Sequence, residues 1–250
     1  MQRPLAGKVA LVTGASRGIG AATALRLADL GASIVMAQRG SGDETAKAIA
    51  GHGGAVSQIR CDLAQPGAPQ AAVAEAVKRA GRVDVLVANA GQIHRESALE
   101  VSVERFNEII AVDLLAPFAL AQATARHLVD AGRSGRIVMV ASVLGFQGGV
   151  NVASYAAAKG GLVNLTRALA NEWAQLGITV NAIAPGYVAN DQTAPLFADE
   201  ARRRSIDERI PAGRWATNEE IADAVALLAT GTLPYLHGHT LVVDGGFLGR

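Results

Sequence analysis

Tyr155 and Lys159 stand four residues apart in Ser154-Tyr155-Ala156-Ala157-Ala158-Lys159-Gly160, and Ser142 closes the apolar run Arg136-Ile137-Val138-Met139-Val140-Ala141 upstream. A phenol has an ordinary pKa of about 10, too high for easy proton exchange near neutral pH. A fixed cation beside it favours the phenolate. Residues i and i+4 share a helix face, so the Lys159 ammonium is placed within range of the Tyr155 oxygen. Ser142 offers a hydroxyl to whatever oxygen the phenol serves. These are the parts of a proton-transfer site, and with no His–acid partner signature Ser142 is not read as a hydrolase nucleophile.

Such a site needs a scaffold. Lys8-Val9-Ala10-Leu11-Val12 reads as a buried strand that runs into Thr13-Gly14-Ala15-Ser16-Arg17-Gly18-Ile19-Gly20, and a helix follows with Ala21, Ala24, Leu25, Leu27 and Ala28 as its apolar stripe. Strand, glycine turn and helix in that order suit a pyrophosphate, because glycines admit close backbone approach and the helix N-terminus presents unpaired N–H groups. The spacing, Gly-x-x-x-Gly-x-Gly, differs by one residue from the common dinucleotide fingerprint. Asp84-Val85-Leu86-Val87-Ala88-Asn89-Ala90-Gly91 is another buried strand ending in a small polar turn.

Strands are expected at 8–13, 33–38, 55–60, 83–88, 136–141, 178–184 and 240–243, most of them unbroken apolar runs fit for a parallel sheet covered on both faces, with helices in the gaps. Gly31 and Gly177 fall where helices should terminate. Thr217-Asn218-Glu219-Glu220 has the form of a capping box. The expected fold is α/β, a Rossmann-like doubly wound parallel sheet in three layers, with 1–250 as a single domain. The stretch 186–216 breaks the rhythm, is rich in arginine (Arg202, Arg203, Arg204, Arg209, Arg214), and is read as a lid over a substrate.

Composition narrows the classes. The chain has 250 residues, half of them apolar, and a formal charge of +1 without a basic, aromatic-interleaved stripe, so nucleic acid is not an expected partner. Cys61 is the sole cysteine and is read as strand packing; no Cys/His cluster suggests a metal, and a reducing cytoplasm is the expected home. The N-terminal Met1-Gln2-Arg3-Pro4-Leu5-Ala6-Gly7 lacks the apolar stretch of a signal peptide, and no 18 apolar residues run together, so no membrane association is expected.

Thr13 to Gly20, Cys61-Asp62-Leu63, Asn89-Ala90-Gly91, Ser142, Tyr155, Lys159 and Pro185-Gly186 occur in an order and spacing that resembles the short-chain dehydrogenase/reductase family over essentially the whole chain. The resemblance implies hydride exchange between a nicotinamide and a secondary alcohol or ketone, with Tyr155 as acid/base, Lys159 lowering its pKa and Ser142 holding the substrate oxygen. It implies that Gly14, Gly18 and Gly20 hold the pyrophosphate, with Ile19 contributing backbone there. Asp62 and Leu63 would meet the adenine, Asn89 the adenosine ribose region, and Lys159 the nicotinamide ribose hydroxyls; Ser16, Ala90, Gly91, Tyr155, Pro185, Gly186 and Val188 complete the cofactor set. For Asn89 a purely turn-stabilising role stands beside the ligand role. Gln38 occupies the place where members preferring NAD usually carry Asp, and Arg39 follows with Arg17 nearby. NADP or NAD is the expected cofactor, with NADP favoured because two guanidinium groups could clamp a 2′-phosphate.

One departure concerns Asp113, which stands where many members carry an Asn thought to connect the lysine to solvent through water; a carboxylate there would pair with Lys159 or be driven neutral. Asn190 stands where a Thr is frequent. Several segments, among them Leu144 to Gly149 and Arg209-Ile210-Pro211-Ala212-Gly213-Arg214-Trp215, resemble the gluconate-type branch. A sugar acid as small-molecule substrate would draw on Ser142, Tyr155, Gln147, Arg95, Arg209 and Arg214, with His94 near. Reduction of 3-oxoacyl or other ketones and a non-catalytic NAD(P)-binding role remain alternatives, the latter opposed by the presence of both Tyr155 and Lys159. A homotetramer is implied by resemblance, through helices around 102–130 and 152–176.

Overall fold

The computed structural model describes residues 3–250, apart from the Phe197 side chain; Met1 and Gln2, part of the N-terminal stretch discussed above, lie outside the described residues. Seven strands form one all-parallel sheet in the order β3-β2-β1-β4-β5-β6-β7. They are β1 (Val9–Thr13), β2 (Ser33–Gln38), β3 (Val56–Arg60), β4 (Val85–Ala88), β5 (Gly135–Val140), β6 (Ile178–Pro185) and β7 (Thr240–Val243). Each lies within a residue or two of its expected place, since a strand covered on both faces must be apolar at every position.

The helices are α1 (Gly18–Asp29), α2 (Asp43–Gly51), α3 (Ala68–Ala80), α4 (Val103–Ile110), α5 (Ala116–Asp130), α6 (Leu144–Gln147), α7 (Ala153–Trp173), α8 (Ala194–Ala198), α9 (Glu200–Asp207) and α10 (Asn218–Ala229). Alternate residues of a strand serve opposite cores. Leu11, Leu86 and Ile137 pack toward Val73, Leu120, Leu128 and Leu162 on one face, while Ala10, Val12, Val87 and Val138 pack toward Leu27, Ile49, Ile221 and Val225 on the other. The three-layer doubly wound fold is therefore present. Each fully buried Leu, Ile or Val in these cores contributes about 1.5–3 kcal/mol, enough collectively to fix the strand ends as a rigid rim.

The strand order reverses at β1, whose neighbours are β2 and β4. A crevice opens there beyond the carboxyl ends of the strands. The capping box is present at α10, where Thr217 Oγ1 accepts from Glu220 N–H and the Glu220 carboxylate accepts from Thr217 N–H. Gly31 and Gly177 have φ of +100° and +73°, as their terminating role requires.

Two features were not foreseen. Segment 186–216 contains α8 and α9 and shares a third apolar cluster, in which Ile206, Ile210 and Trp215 pack with Val143 and Phe247. Between α4 and α5 lies a π-helical turn, Ala111–Leu115, an arrangement that recurs at functional sites. The continuous helical stretch Val103–Asp130 has a window of mean hydropathy 1.4, long and apolar enough to cross a membrane. Half of that window is buried in the chain's own fold, and Asp113 within it is fully buried beside Lys159, which marks a core helix.

Candidate active site

The C-terminal ends of β4 and β5 and one face of α7 bring the chemical residues together. Lys159 Nζ lies 5.5 Å from the Tyr155 ring centroid, as expected one turn along a helix. The ammonium donates to Val140 O at 2.9 Å and sits 3.2 Å from Asp113 Oδ2. Asp113 Oδ1 accepts from Gln92 N–H at 2.9 Å. Lys159 and Asp113 side chains are only 4% and 0% exposed. Gly91 makes room for them, because a Cβ there would come within 2.8 Å of Asp113 Oδ2 and 3.4 Å of Lys159 Nζ. Ser142 Oγ accepts from Leu144 N–H at 3.2 Å and lines the same cavity as the Tyr155 phenol.

Burial, with Asp113 adding to it, raises the Tyr155 phenol above its ordinary value against the opposing pull of Lys159, Ser142 and Arg95. Lys159 acts on the phenol in the expected direction, while burial and Asp113 act the other way on a side chain that is half-buried at the cavity wall. Burial raises the Asp113 carboxyl, with Lys159 and the Gln92 N–H opposing. Lys159 itself is raised: burial alone would lower it, and Asp113 and Tyr155 outweigh that. The two partners' shifts favour different charge states for the carboxyl. The amine nitrogen 3.2 Å from Oδ2 is an ion-pair contact, Oδ2 itself having no hydrogen-bond partner among the described residues, and together with the Gln92 N–H on Oδ1 it favours the ionised pair.

Tyr155, Ser142, Lys159, Asp113 and Arg95 line a cavity of about 460 Å³, together with Gly91, Pro185, Gly186 and Val188. It adjoins a groove of about 1060 Å³ lined by Gly14, Ser16, Arg17, Gly18, Ile19, Gly20, Arg39, Asp62, Leu63, Asn89, Ala90 and Gly91. Ile19, Asn89, Gly91 and Arg95 border both. The residues present fit a dinucleotide. At Gly20 a Cβ would lie 2.2 Å from Gly14 O, so only glycine lets the turn close under a phosphate at the α1 N-terminus. Arg17 and Arg39 stand at the groove, while the end of β2 carries the buried amide of Gln38 and no carboxylate. Arg17 also lies 3.7 Å from Asp191 on the surface.

Asn89 is committed in part to the turn: its Nδ2 donates to Thr13 O at 2.9 Å and Gly14 O at 3.3 Å. Both readings of that residue thus meet in one place. Asn190 borders cavity and groove, its Nδ2 donating to Asn218 Oδ1.

Three of the substrate residues expected from sequence are not brought to the cavity. Arg209 donates to Gln147 Oε1 at 3.3 Å and stacks 4.2 Å above the Phe247 ring, a pairing outside the cavity wall. Arg214 forms a two-pronged pair with Glu220, with Nη1 to Oε2 at 2.9 Å, and so supports the α10 cap. Arg214 and the Thr217 N–H hold Glu220 down at about 2. A carboxyl depressed from 4.5 gives stability that is present above 4.5 and lost as pH falls through about 2. Glu220→Gln is expected to lower the Tm at pH 7 and to differ progressively less from the parent as pH is taken from 4.5 toward 2 in a thermal melt series.

Arg202 and Asp199, from the start of α9, do line the cavity, as do Tyr187 and Asn151, which has φ +61°. The arginine run advertised charge there, but which arginine turns inward depends on helix phase, set by the Asp199 N-cap that accepts from Arg202 N–H. Burial lowers Arg95, and the Arg202 charge adds to that effect while Tyr155 and Tyr187 oppose it.

The family model described as enoyl-(acyl carrier protein) reductase matches residues 14–248. A 2-dehydro-3-deoxy-D-gluconate 5-dehydrogenase of Escherichia coli (strain K12) is 42% identical over 98% of this chain and 97% of its own length. A crystal structure assigned as a 2-deoxy-D-gluconate 3-dehydrogenase from Agrobacterium tumefaciens, with bound NADP, is 47% identical with a TM-score of 0.93 over 98% of both chains. Another, assigned as an NAD(P)-dependent gluconate 5-dehydrogenase from Beutenbergia cavernae with NADP at low occupancy, is 46% identical with a TM-score of 0.95 over the full length of both. With these likenesses spanning the same strands, glycine turn and Ser142-Tyr155-Lys159 cavity, the chain belongs to the short-chain dehydrogenase/reductase family, in its gluconate/2-deoxygluconate dehydrogenase branch, and is an NAD(P)-dependent oxidoreductase acting on CH–OH groups.

Proposed function

We propose that the chain interconverts a secondary alcohol and a ketone on a gluconate-type sugar acid, with Tyr155 as the acid/base group and NADP(H) as the preferred coenzyme. The observation that carries this reading is a cavity holding the Tyr155 phenol and Ser142 hydroxyl together with two guanidinium groups, Arg95 and Arg202, from separate segments. Asp199 on the same wall offsets part of their mutual repulsion, and a substrate carboxylate would accept from the guanidinium forks with good geometry. Hydroxyl-rich substrate would meet Asn151, Asn190 and Tyr187 on the same walls.

The coenzyme supplies or accepts the hydride. In reduction Tyr155 gives its proton to the carbonyl oxygen, so the C=O π bond is replaced by an O–H bond and a C–H bond. Ser142 orients that oxygen and stabilises charge developing on it. Lys159 would hold the nicotinamide ribose and lend the phenolate left behind the part of its charge that Asp113 does not offset. The preference for NADP is supported by Arg17 and Arg39 at the groove, by the absence of a carboxylate at the β2 end, and by the bound NADP of the similar structures. Segment 186–216 would serve as the substrate lid through Arg202 and Asp199. A homotetramer is proposed as well, supported by exposed Val103, Leu115 and Val129 along the 103–130 helix.

A panel of sugar acids and their keto forms, run with both coenzymes and read at the nicotinamide absorbance, tests the reading. Turnover confined to long acyl thioesters would overturn it. Within that panel Arg202→Leu is expected to raise KM for the acid roughly tenfold to a hundredfold, the value of a charge-assisted hydrogen bond, with NADPH affinity unchanged. An equal KM for both proteins would remove Arg202 from the acid site.

A further inference from the structure

A buried cation at a tyrosine ordinarily has one anion to serve, the phenolate. Here it has two candidates. Lys159 Nζ lies 3.2 Å from Asp113 Oδ2, both side chains are almost wholly buried, and the carboxylate is seated in the π turn with its other oxygen fixed by Gln92 N–H. A free carboxyl ionises near 4 and a phenol near 10. Burial raises both groups, and the carboxyl, which starts far below the phenol, ionises first and takes the ammonium.

We propose that Asp113 is a positioning residue that claims the Lys159 ammonium and cancels its charge, so that Tyr155 rests as a neutral phenol and the site is set up to donate a proton to a ketone. The raised Tyr155 agrees with this, and so does the part Asp113 plays in raising it. The groups that face the phenol are Lys159 from α7, Asp113 from the π turn, Ser142 after β5 and Arg95 after β4. Asp199 and Arg202 on α9 close the same cavity with opposite charges. Among the described residues, apart from the cations Lys159, Arg95 and Arg202, only Asp113 and Asp199 carry charge on these walls, and of the two acids Asp113 alone contacts Lys159.

The reaction equilibrium is untouched by such an arrangement. It sets the pH at which each direction finds Tyr155 in the required form: phenol for reduction, phenolate for oxidation. The inference rests on Tyr155 being the acid/base group, and its test is chosen to read the charge state without turnover. The chain has three tyrosines, Tyr155, Tyr187 and Tyr235, and Tyr235 is 99% exposed and lies outside the cavity, so its signal serves as an internal reference.

Protein labelled with carbon-13 at the tyrosine ζ position is titrated by NMR without added nucleotide, with Tyr155→Phe used to assign the Tyr155 signal. The expected result is that Tyr155 is still neutral when Tyr235 is half ionised, and that Asp113→Asn moves the Tyr155 midpoint down by roughly one unit or more while Tyr235 stays in place. Tyr155 ionising before Tyr235 in the parent, or a Tyr155 midpoint unmoved in a folded Asp113→Asn protein, overturns the proposal. If the variant does not fold, the order of Tyr155 and Tyr235 in the parent decides. A protein inactive on every sugar acid would defeat the proposed reaction while leaving this titration order to be judged separately.

Discussion

Tyr155→Phe is expected to lower kcat by about 10²–10⁴-fold, the range associated with a positioned general acid or base, while NADPH binds with little change. The substitution removes one oxygen and keeps the ring, so the packing of α7 against the cavity survives. The nucleotide groove is built by Gly14, Gly18 and Gly20 on the β1–α1 turn and by the ends of β2, β3 and β4, elements whose positions are set by the cores on both faces of the sheet. Binding and proton transfer therefore separate. Initial rates at the nicotinamide absorbance and NADPH fluorescence on mixing measure the two independently. Turnover within a factor of three of the parent would take Tyr155 out of the acid/base role.

Lys159→Met is expected to cost about 3–5 kcal/mol of folding stability, because it leaves the Asp113 charge buried without its partner, and to suppress turnover as well. Met matches the length of the alkyl stem but offers nothing to Val140 O or to Asp113 Oδ2. The double substitution Lys159→Met with Asp113→Asn removes the uncompensated charge and should recover most of that stability without recovering activity. Urea denaturation of the four proteins in this cycle gives the coupling directly. A single-variant loss below about 1 kcal/mol would mean that the pair does not carry full charges in the fold.

The same pair fixes a pH dependence. Lys159 is raised above 10.5, so its contribution to stability is fully present below 10.5 and is lost as pH rises through the folded value. Asp113 is raised above 3.8, so the cost of burying its carboxylate sets in as pH climbs from 3.8 through its folded value. Near neutral pH the pair therefore joins a favourable ammonium to an unfavourable carboxylate, so removing one partner is expected to be harmful and removing both to be tolerated.

Much of this was legible in the chain. A parallel strand covered on both faces has to be apolar throughout, and β2 and β7 were bounded to the residue for that reason; the capping box at Thr217 and Glu220 was read from four letters. The glycine turn, Asn89, Ser142, Tyr155 and Lys159 all sit at strand ends or on one helix face, where local pattern is enough. Charge in the 186–216 segment was visible, but its use was not. Arg209 and Arg214 were chosen for the substrate, whereas packing against Phe247 and pairing with Glu220 occupy them, and Arg202 is the one that enters the cavity. Such choices depend on tertiary contacts between segments far apart in sequence. The π turn around Asp113 has no comparable local signature, although the pairing of its carboxylate with Lys159 was anticipated from the resemblance and is present at 3.2 Å.

The account stands on hydride exchange at a cavity shared by Tyr155, Ser142 and Lys159, and single-turnover mixing probes it most directly. NADPH is bound to the protein, a keto sugar acid is added, and the nicotinamide absorbance is followed in the parent and in Tyr155→Phe. The prediction is loss of one equivalent of NADPH in the parent, slowed by orders of magnitude in the variant. NADPH bound by both proteins and left unoxidised by every keto sugar acid tried would contradict it.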